Sequence, residues 1–220
     1  MASLAAAQPL SVSAPDGRKT LTAVSVSTPI VIDGVLDEAV WQSAPAATDF
    51  IQSDPQEGQP ASEATEVRVA YDADNLYIAA VCKDRTPDGI VVNEIRKDFS
   101  GVEQDSFDVL LDTFADRRNG FVFTTNARGA KADTQVANEG RDVNLNWDAV
   151  WWVAARIGPD GWTAEFRIPF KTLRFTPGEG HPWGINFARR IRRRNEISHW
   201  SPVSRAFSIF RASSAGTLEG

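Results

Sequence analysis

The chain has 220 residues, a formal net charge of −6 and a pI near 5.0. This length suffices for a buried core without disulfides, and it is compatible with one large domain or two small ones. The acidic balance argues against general nucleic-acid binding. The sequence contains no apolar run of roughly 18 residues or more, so it predicts no transmembrane helix.

The N-terminal residues 1–20 are small, polar and contain Pro and Gly, which predicts a disordered tail. The segment Met1–Gln8 is similar to the end of a secretory signal with an A-x-A cleavage site, so a signal-peptide remnant is the alternative. A secretory signal would place the protein outside the cytoplasm. Residues 21–220 are predicted to form a single domain.

The first predicted elements after the tail are short. Leu21–Ser27 alternates between apolar and polar residues, which indicates a strand. Leu36–Ser43 predicts a short helix with Asp37 as its N-cap and Trp41 facing inward. Residues 44–65 are rich in Ala, Pro, Gln, Ser and Glu, which is typical of a long surface loop.

The clearest hairpin pairs Glu66–Tyr71 with Leu76–Cys82. Apolar and polar residues alternate in the first strand, and Asp72–Asn75 forms an Asx turn between the two. The following Lys83–Gly101 is polar, with a short edge strand predicted at Val91–Ile95.

A second pair of strands lies within Glu103–Asn126. Phe107, Val109 and Leu111 alternate with polar residues, and an Asn-Gly turn leads into the next strand. Asp is depleted in strands, so the acids here require neighbouring cations, a metal or a ligand. These acids are Glu103, Asp105, Asp108, Asp112 and Asp116.

The second half of the chain continues in the same way. Residues 127–146 predict a long polar loop, which in a compact domain is usually functional or mobile. The predicted strands that follow are Val150–Ile157, Trp162–Ile168, Trp183–Arg193 and two short ones at Trp200 and Phe207–Phe210. Many short strands without βαβ spacing predict an all-β fold, an antiparallel β-sandwich of the jelly-roll type with one or two short helices.

Five arginines lie close together in this acidic chain: Arg189, Arg190, Arg192, Arg193 and Arg194. The favoured interpretation is a ladder of ion pairs with acids on neighbouring strands. The predicted partners are Asp105, Asp108, Asp112 and Glu165. A ligand site built on the same ladder remains open, whereas a nucleic-acid surface is disfavoured by the net charge.

Catalytic chemistry finds little support. The two histidines, His181 and His199, have no nucleophile elbow or zinc-ligand spacing beside them. A glycosidase pair of Asp108 with Glu165 is open in principle. Nearby arginines would lower the pKa of such acids, which does not suit a general acid.

Eight segments of the chain, taken in order, are similar to segments of a known family. Together they resemble the carbohydrate-binding module family 9-like domain, which has a DOMON-like sandwich fold, and more closely the N-terminal domain of bacterial proteins of the "domain of unknown function 5916" type. The resemblance covers about residues 28–218. The segments are IDGVLDEAVW (32–41), TEVRVAYDADNLYIAAVCKD (65–84), EQDSFDVLLDT (103–113), GFVFTTNARGAKAD (120–133), WDAVW (147–151), GWTAEFRIPFKTLRF (161–175), WGINFARRIRRRNE (183–196) and HWSP (199–202).

The resemblance implies a β-sandwich that binds sugar without catalysis and that sometimes holds structural calcium. In the family two tryptophans hold the sugar. Val102 occupies one of these positions, and the loop Pro202–Arg211, which should carry the other, has no tryptophan. Asp108 matches the family's carboxylate that binds sugar hydroxyls. Thr124 stands where the family has an arginine, and Asn126 matches the family's amide side chain.

The first hypothesis is therefore a non-catalytic, extracytoplasmic carbohydrate-binding module associated with carbohydrate catabolism. Asp108 and Asn126 would bind hydroxyls, and Trp147 or Trp151 would form an apolar platform, with core packing as the alternative for both. A second hypothesis is a periplasmic or cell-surface accessory domain of an outer-membrane β-barrel protein. This domain would bind protein rather than sugar, such as the barrel region that follows it in the same chain. A third is a glycoside hydrolase.

A calcium site is the remaining prediction. The resemblance matches its ligands to Asp84 and Glu103, and Asp105 lies close to Glu103 in sequence. Convergent carboxylates would repel one another unless a Ca²⁺ ion bound them. The alternatives are a positive charge from Arg96 or Lys97 in the intervening loop, or solvent exposure of the carboxylates.

Overall fold

The computed structural model describes residues 18–175 and 181–220, and its regular structure is almost entirely β. One short helix, α1, spans Ala39–Ser43. The strands are β1 Thr20–Thr22, β2 Val24–Ser25, β3 Ile51–Asp54, β4 Thr65–Tyr71, β5 Asn75–Lys83, β6 Ser106–Asp112, β7 Gly120–Asn126, β8 Lys131–Ala137, β9 Asp142–Asn144, β10 Trp152–Gly158, β11 Gly161–Pro169, β12 Trp183–Ile191, β13 Glu196–His199 and β14 Gly216–Glu219. Single 3₁₀ turns span Pro87–Gly89, Gly101–Glu103, Asn138–Gly140, Phe170–Thr172, Arg192–Arg194 and Ala212–Ser214. The predicted all-β class is confirmed.

The strands form two sheets that pack face to face. The larger sheet has the order β1-β14-β12-β6-β7-β8-β9, and β13 pairs with both β12 and β3. The smaller sheet has the order β10-β11-β5-β4-β2. Every described pairing is antiparallel except β1 with β14 and β2 with β4. The predicted antiparallel sandwich is therefore confirmed, and both predicted hairpins, β4–β5 and β6–β7, are present.

The core between the sheets follows from the alternation of apolar residues. Phe107 is fully buried, and its ring lies 5.9 Å from Phe187 on the adjacent strand β12 and 6.1 Å from Phe166 on the opposite sheet. Since side chains alternate along a strand, the residues between these core positions point to the outer face of each sheet.

Both outer faces are partly covered by other segments. On the larger sheet, Leu110 and Ala188 pack against Ile209 and Ala212 from the C-terminal loop. On the smaller sheet, Tyr77 and Ala79 pack against Trp41 of α1. Trp41 faces inward as predicted. The helix begins two residues later than Asp37, after Glu38, and it has no side-chain N-cap.

Two predicted loops contain strands. Residues 44–65 include β3, and residues 127–146 include β8 and β9. β8 adds to β7 by backbone hydrogen bonds, but its side chains are mostly polar, so hydrophobic alternation gave no signal.

Three predicted strands are wrong. Val91–Ile95 forms none, because Val91 N donates to the Asp105 carboxylate rather than to a neighbouring strand. At the C-terminus the strands are β13 and β14, whereas Trp200 and Phe207–Phe210 lie in irregular segments.

The predicted tail lies mainly outside the described residues, which begin at 18. Its last part joins the larger sheet, since Lys19 O accepts a hydrogen bond of 2.9 Å from Thr217 N and β1 begins at Thr20. Over residues 18–175 and 181–220, no helix is long and apolar enough to cross a membrane.

Candidate functional site

The predicted sugar-binding carboxylate lies on the outer face of the larger sheet. Asp108 on β6 pairs with Thr124 on β7 and with Ala188 on β12. Ala188 also pairs with His199 on β13, and Thr124 pairs with Ala132 on β8. We call this line of five residues across five strands the outer row.

Asp108 is half-buried and retains capacity to bind a ligand. Its Oδ1 accepts a hydrogen bond of 2.6 Å from Thr124 Oγ1, whereas Oδ2 accepts none from any residue the structure describes. Burial raises the pKa of Asp108, while the Thr124 hydroxyl and the Arg190 charge lower it. The carboxyl group is thus held in place on one side and open on the other.

Two segments flank the outer row, and they are the ones to which the resemblance assigns the two sugar-binding tryptophans. The turn Gly101–Glu103 packs on this face, since a Cβ at Gly101 would lie 3.7 Å from Thr124 Cγ2. Its Val102 is exposed. The C-terminal loop packs on the same face through Ile209, and it presents Phe207, which is 49% exposed.

Asn126 has a structural role. Its side chain is completely buried, Nδ2 donates to Glu94 O at 2.7 Å and to Gln104 Oε1 at 3.0 Å, and Oδ1 accepts from the backbone N–H groups of Arg128 and Ala130. These bonds fix the turn between β7 and β8. The structure does not support the prediction that Asn126 binds sugar hydroxyls.

Neither predicted tryptophan platform lies on the outer row. Trp151 is 1% exposed, donates from Nε1 to Asp133 Oδ1 at 3.1 Å, and stacks on Phe166 in the core. Trp147 is half-buried and packs against Phe121, with ring centroids 4.7 Å apart. Core packing, the alternative stated for both residues, is what the structure shows.

The predicted calcium ligands are bound to arginines or to backbone. Asp84 forms a bidentate pair with Arg193 at 2.6 and 2.7 Å, and Glu103 pairs with Arg192 at 2.9 Å. Asp105 is fully buried and accepts a hydrogen bond from a backbone N–H group.

Within the described ranges, no group of three or more His, Cys, Asp or Glu residues could hold a metal ion. Asp84, Glu103 and Asp105 therefore do not fit a calcium site. The competing cations were also misassigned, since Arg96 pairs with Glu94 and Lys97 with Asp98, Asp133 and Asp148.

The arginine run forms ion pairs, as predicted, but with other acids. Arg192, Arg193 and Arg194 pair with Glu103, Asp84 and Glu63 respectively. Asp112 and Glu165 accept hydrogen bonds from backbone N–H groups instead. The acid partners come from chain segments that the sequence order does not bring together.

The glycosidase pair is contradicted by the fold. Asp108 points out of the larger sheet and Glu165 points out of the smaller one, beneath α1, where it accepts a hydrogen bond of 3.0 Å from Trp41 Nε1. Packed sheets lie about 10 Å apart, and the two carboxyl groups point away from each other. Their separation therefore exceeds the roughly 9.5 Å that an inverting glycosidase allows. Burial raises the pKa of each acid, and that of Glu165 rises to about 7. The Arg190 charge lowers the pKa of Asp108, as expected, but burial outweighs it.

The buried Glu165 and His199 should give opposite pH dependences of stability. Burial lowers the pKa of His199 from 6.5 to about 4, so its contribution is present above pH 6.5 and is lost as the pH falls towards 4. Burial raises the pKa of Glu165 from 4.5 to about 7, so its contribution is present below pH 4.5 and is lost as the pH rises towards 7. Each shift corresponds to about 3 kcal/mol.

We therefore expect the two effects to offset each other in the wild type between pH 4.5 and 6.5. Urea unfolding of Glu165→Gln over this range should show stability that rises with pH, and His199→Gln should show stability that falls. Parallel pH profiles for the two variants would contradict this assignment.

Comparisons with known proteins agree with this architecture. The family model described as "Carbohydrate family 9 binding domain-like" matches residues 32–200. No curated protein matches the chain.

Solved structures share the fold at low sequence identity. A carbohydrate binding module family 9 from Caldicellulosiruptor kristjanssonii in complex with glucose has a TM-score of 0.67 and 18% identity, with 91% of this chain and 95% of that chain covered. The cellotriose complex has a TM-score of 0.67 and 19% identity, with 91% and 93% covered. A putative carbohydrate-binding protein from Bacteroides uniformis has a TM-score of 0.68 and 13% identity, with 91% and 98% covered.

Proposed function

Because this chain belongs to the carbohydrate family 9 binding domain-like family, we propose that it is a non-catalytic carbohydrate-binding module whose ligand binds at the outer row around Asp108. The observation that carries the proposal is the half-buried Asp108 carboxyl group, which is fixed through Oδ1 and open at Oδ2. The glucose and cellotriose complexes of similar structures support a sugar as the ligand.

The outer row suits hydroxyl recognition through a small number of polar groups. Asp108 Oδ2 accepts a hydrogen bond from a sugar hydroxyl, while Thr124 prevents the carboxyl group from rotating away. Val102 and Phe207 provide exposed apolar surface on the flanking segments. Since aromatic rings contribute much of the contact energy at such sites, the replacement of both family tryptophans predicts weak binding, with Kd on the order of 1 mM.

The finer predictions about the whole protein are part of this proposal. The similarity of Met1–Gln8 to the end of a secretory signal supports an extracytoplasmic location. A role in carbohydrate catabolism and the relationship to the "domain of unknown function 5916" proteins remain predictions.

An accessory domain that binds protein, such as an outer-membrane β-barrel region of the same protein, is the second candidate function. The exposed Val102 in the place of a family tryptophan favours it, because valine lacks the aromatic ring that would cover a sugar.

Replacing Asp108 with alanine should weaken sugar binding by about 10- to 100-fold, because a hydrogen bond to a charged group contributes roughly 1.5–3 kcal/mol. Titration calorimetry with glucose and cello-oligosaccharides would measure the change. Asp88→Ala, in an exposed turn, is the matched control and should bind as the wild type does. Equal binding by Asp108→Ala and Asp88→Ala would overturn the assignment of the site, and no binding of any glycan by the wild type would favour the accessory function.

A further inference from the structure

Arg190 differs from the other arginines of its run, because its side chain has no hydrogen-bond or ion-pair partner in residues 18–175 and 181–220. Three of the others, Arg192, Arg193 and Arg194, form ion pairs. Arg189 donates to the carbonyl oxygens of Ala64 and Lys83 and to a threonine hydroxyl. Over the described part of the chain, the guanidinium group of Arg190 takes part in no hydrogen bond and no ion pair.

The position of Arg190 links it to the candidate site. It lies on β12 two residues beyond Ala188, so it projects from the same outer face as Asp108. It pairs with Ser106 on β6 and with Ile197 on β13. Its charge lowers the pKa of both Asp108 and His199, which places the guanidinium group near both.

The imidazole of His199, on the same face, also lacks a polar partner within the part of the chain that the structure describes. His199 is 1% exposed, and its Nδ1 is a buried atom without any hydrogen bond among the described residues. Since burial keeps this imidazole neutral at pH 7, Arg190 is the fixed positive charge beside Asp108. Unsatisfied groups on one face of a sheet indicate a surface that is completed by something outside the chain.

The chemistry of the unpaired guanidinium group indicates which kind of ligand group would bind it. A half-buried guanidinium group that forms neither a hydrogen bond nor an ion pair is costly, and an acidic chain offers many carboxylates that could have paired with it. The planar fork of arginine matches a carboxylate in a bidentate geometry, with two parallel N–H···O bonds. A ligand carboxylate beside Arg190 would leave Asp108 free to accept hydrogen bonds from hydroxyls.

We propose that the outer row binds acidic glycans, in which the carboxylate of a uronic acid residue pairs with Arg190 while a hydroxyl of the same or the adjacent sugar donates to Asp108. This inference rests on the proposed function and adds the ligand class to it. Arg190 supplies the guanidinium group on β12 that the family pattern would have placed at Thr124 on β7.

The test compares glycans of equal length with and without charge. Titration calorimetry at pH 7 would use trigalacturonate, its methyl ester, cellotriose and a sulfated trisaccharide. We expect the wild type to bind trigalacturonate at least about tenfold more tightly than the uncharged ligands, with an affinity that falls as salt is added.

Arg190→Gln should lose this preference and keep its affinity for the uncharged sugars. Arg190→Lys should recover only part of the preference, since a lysine keeps the charge but not the fork. Arg192→Gln, two residues along and paired with an exposed glutamate, is the matched control and should leave the preference unchanged. Thermal melts would show that each variant is folded.

The outcomes separate the inference from the proposed function. Binding of uncharged sugars without a preference for trigalacturonate, or a preference that survives in folded Arg190→Gln, would overturn the inference alone. Tighter binding of the sulfated ligand than of trigalacturonate would overturn the assignment to carboxylates. Failure of the wild type to bind any of the four ligands would overturn both.

Discussion

Replacing Arg189 with methionine should lower the free energy of unfolding by about 3–5 kcal/mol, because it removes one partner from a buried charged network. Arg189 is fully buried and donates to Ala64 O at 3.0 Å, to Thr65 Oγ1 at 3.2 Å and to Lys83 O at 2.7 Å. These bonds connect β12 of the larger sheet to β4 and β5 of the smaller one.

The loss would leave buried carbonyl groups without donors and buried carboxylates with less positive charge nearby. The Asp84 carboxylate lies 3.9 Å from Arg189. Burial raises the pKa of Asp105, and the Arg189 charge opposes this rise. Urea unfolding monitored by tryptophan fluorescence would measure the change.

The control is Arg192→Met, since Arg192 pairs with a largely exposed Glu103 and exposed ion pairs contribute roughly 0–1 kcal/mol. A similar small effect for Arg189→Met would show that the buried guanidinium group does not hold the two sheets together.

Replacing Trp151 with alanine should also cost about 3–5 kcal/mol, because it empties a large volume in the core. The Trp151 ring lies between Phe166 and Phe123, with centroid distances of 5.7 and 5.2 Å. The change would also remove the indole N–H group that donates to the buried Asp133 carboxylate.

The adjacent tryptophan provides the contrast. Trp152 is 43% exposed, and its main described contact is the Arg167 guanidinium group, 4.2 Å from the ring centroid. Trp152→Ala should therefore cost only about 0.5–1 kcal/mol. Guanidinium chloride unfolding of both variants would measure the difference in their free energies of unfolding. Titration of Trp151→Ala with sugar would show whether the substitution also affects binding. Loss of sugar binding without loss of stability in Trp151→Ala would restore the platform interpretation that the structure contradicts.

The functional site was predictable in part. Asp108 was identified from the family resemblance together with its place on an alternating strand. Arg190 and His199 were not, because their membership of the outer face depends on β12 pairing with β6 and with β13. A signal for Arg190 existed in its position in the run, since alternation from the buried Arg189 points it to the opposite face.

The sequence by itself determined the elements whose information is local. Alternation of apolar residues within Thr65–Lys83 and within Ser106–Asn126 sets the two hairpins, because strand period and turn chemistry are read from adjacent residues. The same local signals establish the all-β class.

The tertiary structure alone decided which partner each polar group has. Asp84 meets Arg193 across 109 positions of sequence, so an acid that suggested a calcium ligand is paired with a guanidinium group that no local pattern indicates. Asn126 and Trp151 are buried because other segments pack over them, and alternation cannot tell which face of a strand will be covered. Strand β8 pairs with the backbone edge of β7 across a short turn, and its mostly polar side chains give no apolar alternation that would reveal the strand.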